Sequence, residues 1–196
     1  MEDDCADPAA SAALEPPWLN KQEMQAWWPL SGLISKLPAA LDRQLQTEAG
    51  ISHFEYMVLS QLSAAPQRTL RMGDLAELAN GSVSRLSHAV TRLERRAWIR
   101  REPSPENGRY MNATLTDEGF EKVAATAPGH VRAVRALVVD ALSPTHLRQL
   151  REISELILRQ IDADAVWPPP ERKAVQETSP QHGDEQLGSG RTGGGA

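Results

Sequence analysis

The sequence predicts a mainly α-helical protein with one small β-hairpin. Three observations lead there. Apolar residues recur at helical spacing in successive stretches between Met24 and Ile161. Ser52, Ser82, Thr116 and Ser143 each stand where a helix N-cap belongs. Two short runs, "WIRREP" and "YMNATLT", flank the turn cluster "SPENG" and read as the arms of a hairpin.

The first helix is predicted within "MQAWWPLSGLISKLPAALDRQLQTEAG", where Leu30, Leu33, Ile34, Leu37, Leu41 and Leu45 follow helical spacing. Pro29 suits a first turn, whereas Pro38 is interior and is expected to kink or divide the helix. Gly50 supplies the stop. In "ISHFEYMVLSQL", Ser52 and Glu55 have capping-box spacing, and Ile51 and Tyr56 sit where a hydrophobic staple belongs. Leu59 and Leu62 extend the inner face, and this helix should end near "SAAPQ". "RMGDLAELA" reads as a short helix with Met72, Leu75, Ala76 and Ala79 inward, and Asn80-Gly81 makes a turn.

Ser82 then caps "SVSRLSHAVTRLERR", in which Leu86, Val90, Leu93 and Ala97 form one narrow apolar stripe. The opposite face carries Val83, Ser84, Ser87, His88, Thr91, Arg92 and Arg95. Two helices joined by a tight glycine-containing turn, the second so patterned, form a helix-turn-helix signature. The hairpin that follows makes it a winged helix-turn-helix in outline. Thr116 caps the next helix, Asp117 and Glu118 favour its dipole, and Phe120, Val123, Ala124 and Ala127 point inward. Pro128-Gly129 is expected to interrupt it before helical spacing resumes at Val131, Val134, Leu137 and Val138. The last helix has Ser143 as cap, Pro144 at its first position and a stripe of Leu147, Leu150, Ile153, Ile157 and Ile161.

A chain of 196 residues suits one domain plus tails, and its 40% hydrophobic content suffices for a core. Residues 1–17 are acidic and rich in Ala and Pro; residues 163–196 hold a proline run and a glycine-rich finish. Neither has apolar periodicity, so both are expected to be disordered, leaving 18–162 as the folded unit. The single cysteine, Cys5, allows no intrachain disulfide and fits a reducing cytoplasm. Its neighbours Glu2, Asp3, Asp4 and Asp7 disfavour a thiolate, which argues against a redox switch. No secretory signal and no apolar run of ~18 residues is present, so a cytoplasmic protein without membrane contact is expected.

The charge is unevenly placed. The formal net charge is −5, yet Arg68 to Arg109 holds nine arginines against five acids. A basic segment on an acidic body is the footprint of a nucleic-acid contact, or else a solvated helix face with ordinary ion pairs. Charge alone does not decide between these.

The order of elements decides it, together with the strings "RMGDLAELA", "SVSRLSHAVTRLERRAWIRRE", "NGR" and "LTDEG". Over Trp27 to Ile161 the chain resembles the MarR family of bacterial transcription regulators. The resemblance implies a homodimer in which helices from 18–48 and 117–162 interlock above winged helix-turn-helix lobes formed by 49–116. It implies a sequence-specific DNA-binding regulator, a repressor released by a small aromatic or phenolic effector. Cys5 does not match a conventional sensing position. There are two departures. The wing reads Asn107-Gly108-Arg109 where the family has Asp-x-Arg, and Ala97 stands where a glycine commonly follows the recognition helix.

On this reading the arginines face DNA. Val83, Ser84, Arg85, Ser87, His88, Thr91, Arg92 and Arg95 would enter or flank the major groove. Ser84, Ser87 and His88 are the candidates for base or sugar-phosphate contacts, and Arg85 and Arg92 suit either role. Arg95, Arg100 and Arg101 suit phosphate or local pairing with Glu94 and Glu102. Arg109 would reach the minor groove from the wing. Trp27, Trp28 and Tyr56 are candidates for an effector pocket, with Arg43 and His53 to orient an anion; apolar packing or dimer contact is the alternative fate of these aromatics. The five histidines form no close pair in sequence and no cysteine supports them, so no metal site is expected, nor any cofactor. No nucleophile elbow or phosphate-binding loop points to an enzyme. The alternative is a winged-helix adaptor that binds protein and not specific DNA.

Overall fold

The protein is described by a computed structural model over residues 17–162; the expected disorder of the arm and tail, with Cys5 and His182, concerns residues outside the described ones. Helix α1 runs Lys21–Ala49. It begins earlier than its apolar spacing suggests, because Asn20 and Glu23 form a capping box that the apolar pattern does not reveal. It is one helix through Pro29 and Pro38, so Pro29 does not stand in a first turn and, of the kink or division expected at Pro38, the division does not occur. Each proline withdraws a single amide donor, and the remaining ladder, packed along a later helix, carries the helix past it. Gly50 ends α1 in the left-handed conformation, φ 66°.

Helix α2 spans His53–Ala64, and the Ser52–Glu55 capping box forms as expected. A 3₁₀ turn at Pro66–Arg68 leads to strand β1, Thr69–Arg71. Helix α3 (Met72–Leu78) and helix α4 (Val83–Arg95) make the helix-turn-helix, with Ser82 accepting from the Arg85 amide at 3.2 Å. Asn80 takes the positive φ of the turn, 50°. Gly81 is needed for space instead: a Cβ there would stand 2.6 Å from the Phe54 ring.

Strands β2 (Ile99–Pro103) and β3 (Met111–Leu115) form the expected hairpin. The sheet has a third member, in order β1-β3-β2, with Leu70 opposite Ala113 and Arg101 opposite Ala113 on the other side. Three residues are too few to show alternation, so β1 is not legible in the sequence. Helix α5 covers Asp117–Leu137 and passes through Pro128-Gly129, which correct the expected interruption. Helix α6 covers Pro144–Ile161 behind its Ser143 cap.

The core gathers Leu45 of α1, Val58, Leu59 and Leu62 of α2, Leu75 of α3, and Ile99, Ala113 and Leu115 of the sheet around one face of α4. That face is Leu86, Ala89, Val90 and Leu93, all fully buried. Ala97 is not part of it. Ala97 lies beyond the helix at φ 58° and is exposed. There it closes α4: its amide donates to Glu94 O at 2.9 Å and the Trp98 amide donates to Leu93 O at 3.1 Å. This paired ending is the one that favours glycine, so Ala97 occupies it under strain.

What holds Ala97 there comes from α5. Thr116 Oγ1 donates to Ala97 O at 2.7 Å, the Thr116 amide donates to Trp98 O at 3.1 Å, and Thr116 in turn caps α5 through the Gly119 amide. The first turn of α5 is pressed so closely on this loop that a Cβ on Gly119 would lie 2.2 Å from Trp98 O. Ala97→Gly should therefore raise stability by about 1 kcal/mol in chemical denaturation, by relieving the left-handed strain. Gly119→Ala should lower it by about 1–3 kcal/mol, because backbone has to move. A destabilised Ala97→Gly protein would contradict the strain assigned to this loop.

Candidate nucleic-acid interface

Helix α4 turns one side to the core and leaves the other to solvent. Val83, Ser84, Arg85, His88, Arg92 and Arg95 are exposed along it, and Ser87 and Thr91 are half-buried between them. The apolar stripe dictates this, since four inward positions fix the rotation of the helix about its axis. The Thr91 hydroxyl donates back to Ser87 O at 2.9 Å. Thr91 is therefore committed as a donor and open only as an acceptor.

The arginines divide into held and free. Arg85 lays its guanidinium 4.2 Å over the Phe54 ring. Arg92 Nε donates to Glu55 Oε1 at 2.7 Å. Arg101, on β2, grips Glu94 through Nε at 3.0 Å and Nη2 at 2.5 Å. Arg100 pairs more loosely with Glu102 at 3.3 Å. Arg95 on α4 and Arg109 in the wing make no ion pair among the described residues. Arg96, which the sequence leaves unassigned, donates to Gly50 O at 3.0 Å and stacks 5.0 Å from the Trp98 ring.

The wing compensates for its missing aspartate. Asn107 Oδ1 accepts from the Arg109 amide at 3.1 Å, a local turn that an amide makes as well as a carboxylate. The anchoring charge comes from Glu106, which binds Arg71 of β1 at 2.6 Å, while Arg71 also lies 5.3 Å from the Tyr110 ring. These contacts tie the loop of the wing to β1, and Arg109 stands exposed in the same loop.

Glu55 is the most constrained carboxylate here, at 6% exposure. Burial pushes its pKa up, but the Ser52 amide, Arg92 and the Ser52 hydroxyl together more than reverse this and hold it below the ordinary carboxylate range. Its sequence signal was that of a helix cap alone. The second role, anchoring Arg92, joins residues of two helices and has no local signature. Glu94 is likewise held low, first by its hydrogen bonds from Arg101.

The aromatic candidates do not converge within the chain. Tyr56 is buried and packs 4.6 Å from His130 on α5, with His53 6.0 Å from His130. The His53 amide donates to Asp42 Oδ1 at 2.7 Å. Burial pushes both histidines below the usual imidazole pKa; Asp42 opposes this at His53, and Arg85 adds to it. Trp27 and Trp28 lie fifteen and fourteen residues before Asp42 on α1, roughly 20 Å along the axis, and are 48% and 65% exposed. Arg43 is exposed too. Among the described residues no cluster of three or more His, Cys, Asp and Glu side chains is placed to hold a metal ion, and no helix is long and apolar enough to cross a membrane.

Two pH dependences follow. Glu55 has a depressed pKa, so its stabilisation is present above the unfolded carboxylate value and is lost as pH falls through the folded one. Glu55→Gln should cost on the order of 1–3 kcal/mol near neutrality and flatten the acid limb of the stability curve. His53 and His130 also have depressed pKa values, so stability should decline as pH falls below 6.5, the unfolded imidazole value. Thermal melts from pH 7.5 to 5.5 check this: His130→Gln should show the shallower decline, and an equal slope would contradict it.

The profile of the MarR family matches residues 49–109, the span from the end of α1 to the wing. A MarR family transcriptional regulator from Streptomyces coelicolor, Sco3205, solved in complex with DNA, is 44% identical with a TM-score of 0.72, covering 76% of this chain and 92% of that one. The HTH-type transcriptional regulator PecS of Dickeya dadantii is 31% identical over 130 residues, 61% of this chain and 75% of that protein. The transcriptional repressor MprA of Escherichia coli K12 is 27% identical over 128 residues, 65% of this chain and 72% of that protein. With the helix-turn-helix, the three-stranded wing and these relatives in hand, the chain belongs to the MarR family of transcriptional regulators.

Proposed function

We propose that this protein is a transcriptional repressor that binds a near-palindromic double-stranded operator as a homodimer and releases it on binding a small aromatic or phenolic effector. The observation that carries the DNA reading is the outward face of α4, where Ser84, Ser87, His88 and Arg95 stand exposed or half-exposed beside arginines anchored from below. A helix fixed in rotation by four buried residues, with short polar groups near its N-terminal end, is what major-groove readout requires. Arg109 supplies a free cation beyond it for the backbone or minor groove. The DNA complex of the similar Streptomyces protein and the repressor activity named for MprA support the same reading.

The homodimer is supported by apolar surface that the single chain leaves uncovered. Helix α6 buries no residue, yet presents Ile153, Leu156 and Ile161 at 55%, 60% and 75% exposure. Leu33 and Ile34 of α1 and Leu137 of α5 are exposed as well. Large apolar side chains left exposed along these helices are what an association site requires. On this reading 18–48 and 117–162 are the dimerisation helices, and 49–116 the DNA-binding lobe. The effector reading draws on the buried Tyr56 beside His53 and His130, with the tryptophans of α1 available from a second copy.

Light scattering at micromolar concentration should give a dimer, and a monomer would contradict the assembly. Paired recognition helices about 34 Å apart would give a footprint over two successive major grooves. Ser87→Ala or His88→Ala should lower discrimination between operator and scrambled DNA by about 1–3 kcal/mol per lost base contact, without loss of fold. Arg109→Ala should weaken both DNAs alike and reduce the salt slope by about 1 per phosphate. Leu86→Ala should instead cost roughly 2–5 kcal/mol of stability. If the Ser87, His88 and Arg109 variants all bind as wild type while folded, the DNA face lies elsewhere.

A further inference from the structure

Glu55 brings a negative charge to the DNA-binding lobe. It is buried in the first turn of α2, and the side chain it holds, Arg92, belongs to the face of α4 assigned above to DNA. Like charges brought together across an interface oppose binding, so by charge alone Glu55 should weaken the hold on DNA. Its hydrogen bonds argue the reverse.

Both carboxylate oxygens are committed. Oε2 accepts from the Ser52 amide at 2.9 Å and from the Ser52 hydroxyl at 3.0 Å, and Oε1 accepts from Arg92 Nε at 2.7 Å. Ser52 accepts in turn from the Glu55 amide at 3.2 Å. The carboxylate therefore cannot turn without breaking the cap of α2, and Arg92 is tied to an acceptor with a fixed place. What remains of Arg92 is well defined. A guanidinium is planar and carries five donors. With Nε–H spent on Glu55, the paired edge left over is the end of the plane, Nη1 and Nη2. Neither of these atoms bonds to a described residue, and the side chain keeps 53% of its surface exposed. Two parallel donors on one edge match the oxygens of a phosphate. Arg92 also stands in the last turn of α4, whereas recognition helices read base edges from their N-terminal residues.

We propose that Glu55 is a positioning residue for DNA binding: it holds Arg92 so that Nη1 and Nη2 grip one phosphate of the duplex backbone, and it strengthens binding despite its charge. A long side chain that must be immobilised on binding costs affinity, and Arg92 is already restrained before DNA arrives. The proposal rests on the DNA face assigned to α4. A phosphate contact does not depend on base sequence, so a mixed-sequence duplex of about three helical turns is a sufficient probe.

Affinity for this duplex is measured by fluorescence anisotropy at several salt concentrations. The proteins are the full-length chain, Glu55→Ala, Arg92→Ala and the double variant, each held below its own Tm. Arg92→Ala should weaken binding about tenfold and reduce the salt slope by about 1. Glu55→Ala should weaken it about threefold, although a negative charge is removed. The double variant should bind no more weakly than Arg92→Ala alone, because Glu55 acts only through Arg92. Unchanged or tighter binding by Glu55→Ala would overturn the proposal, since charge would then outweigh position. Losses that multiply in the double variant would overturn it too, because a general structural defect behaves that way. If Glu55→Ala does not fold, Arg92→Lys decides. Lysine keeps the charge, but one ammonium cannot be held by Glu55 and still present a paired edge. Arg92→Lys should lose most of the affinity that Arg92→Ala loses, and wild-type affinity would overturn the proposal. Failure of the underlying reading looks different. Arg92→Ala itself would then bind as wild type, or the unaltered protein would not bind the duplex, and the proposal would fall with it.

Discussion

The junction at Trp98 is the constraint on which the rest depends. Its ring is within reach of two cations, Arg96 at 5.0 Å and Lys122 at 5.3 Å. Those same cations take the last carbonyls of α1, at Gly50 and Ala49, where the helix dipole is negative. Thr116 takes the carbonyl of Ala97 and donates its amide to the carbonyl of Trp98. One loop therefore ties the end of α1, the end of α4 and the start of α5. The ends of the long helices and the end of the recognition helix thus share one set of hydrogen bonds. The left-handed Ala97 and the side-chain-free Gly119 are what this closeness costs.

A second set of contacts orients α4 from beneath. The N-terminal turn of α2 supplies Phe54 under Arg85 and Glu55 under Arg92. Glu55 is already tied by its capping box, so it is a fixed counter-charge and not a mobile one. Desolvating a carboxylate is costly unless it is paired and hydrogen-bonded, and here both conditions hold. Arg92 is thus partly a structural residue, with its exposed end left for a partner. Asp42 receives the His53 amide one residue before Phe54, so α1 also touches this shelf.

Most of the fold was legible because periodicity and capping act over a few residues. Leu86, Val90 and Leu93 announced the buried face of α4, and Ser52 with Glu55 announced the start of α2. Ala97 was legible twice, as a fourth member of the stripe and as a substitute for glycine; only the second agrees with its position. The division expected as one outcome at Pro38 and the interruption expected at Pro128-Gly129 do not occur. Pro38 and Pro128 each remove one donor from a long helix whose other bonds and packing survive. The arginines were legible as a cluster but not one by one. Whether Arg92, Arg96 or Arg101 is held depends on Glu55, Gly50 and Glu94 in other elements, and no local pattern carries that information.

The division between held and free arginines is tested most directly on two neighbours, Arg95 and Arg96. Arg95 is exposed and unpaired among the described residues, whereas Arg96 clamps Gly50 O and Trp98. Thermal stability and the salt slope of DNA binding would be measured for Arg95→Ala and Arg96→Ala. The expected result is a crossed pattern. Arg95→Ala keeps its Tm and loses about one unit of salt slope, while Arg96→Ala keeps the slope and loses on the order of 1–3 kcal/mol of stability. The opposite pattern, or two variants that behave alike, would contradict it.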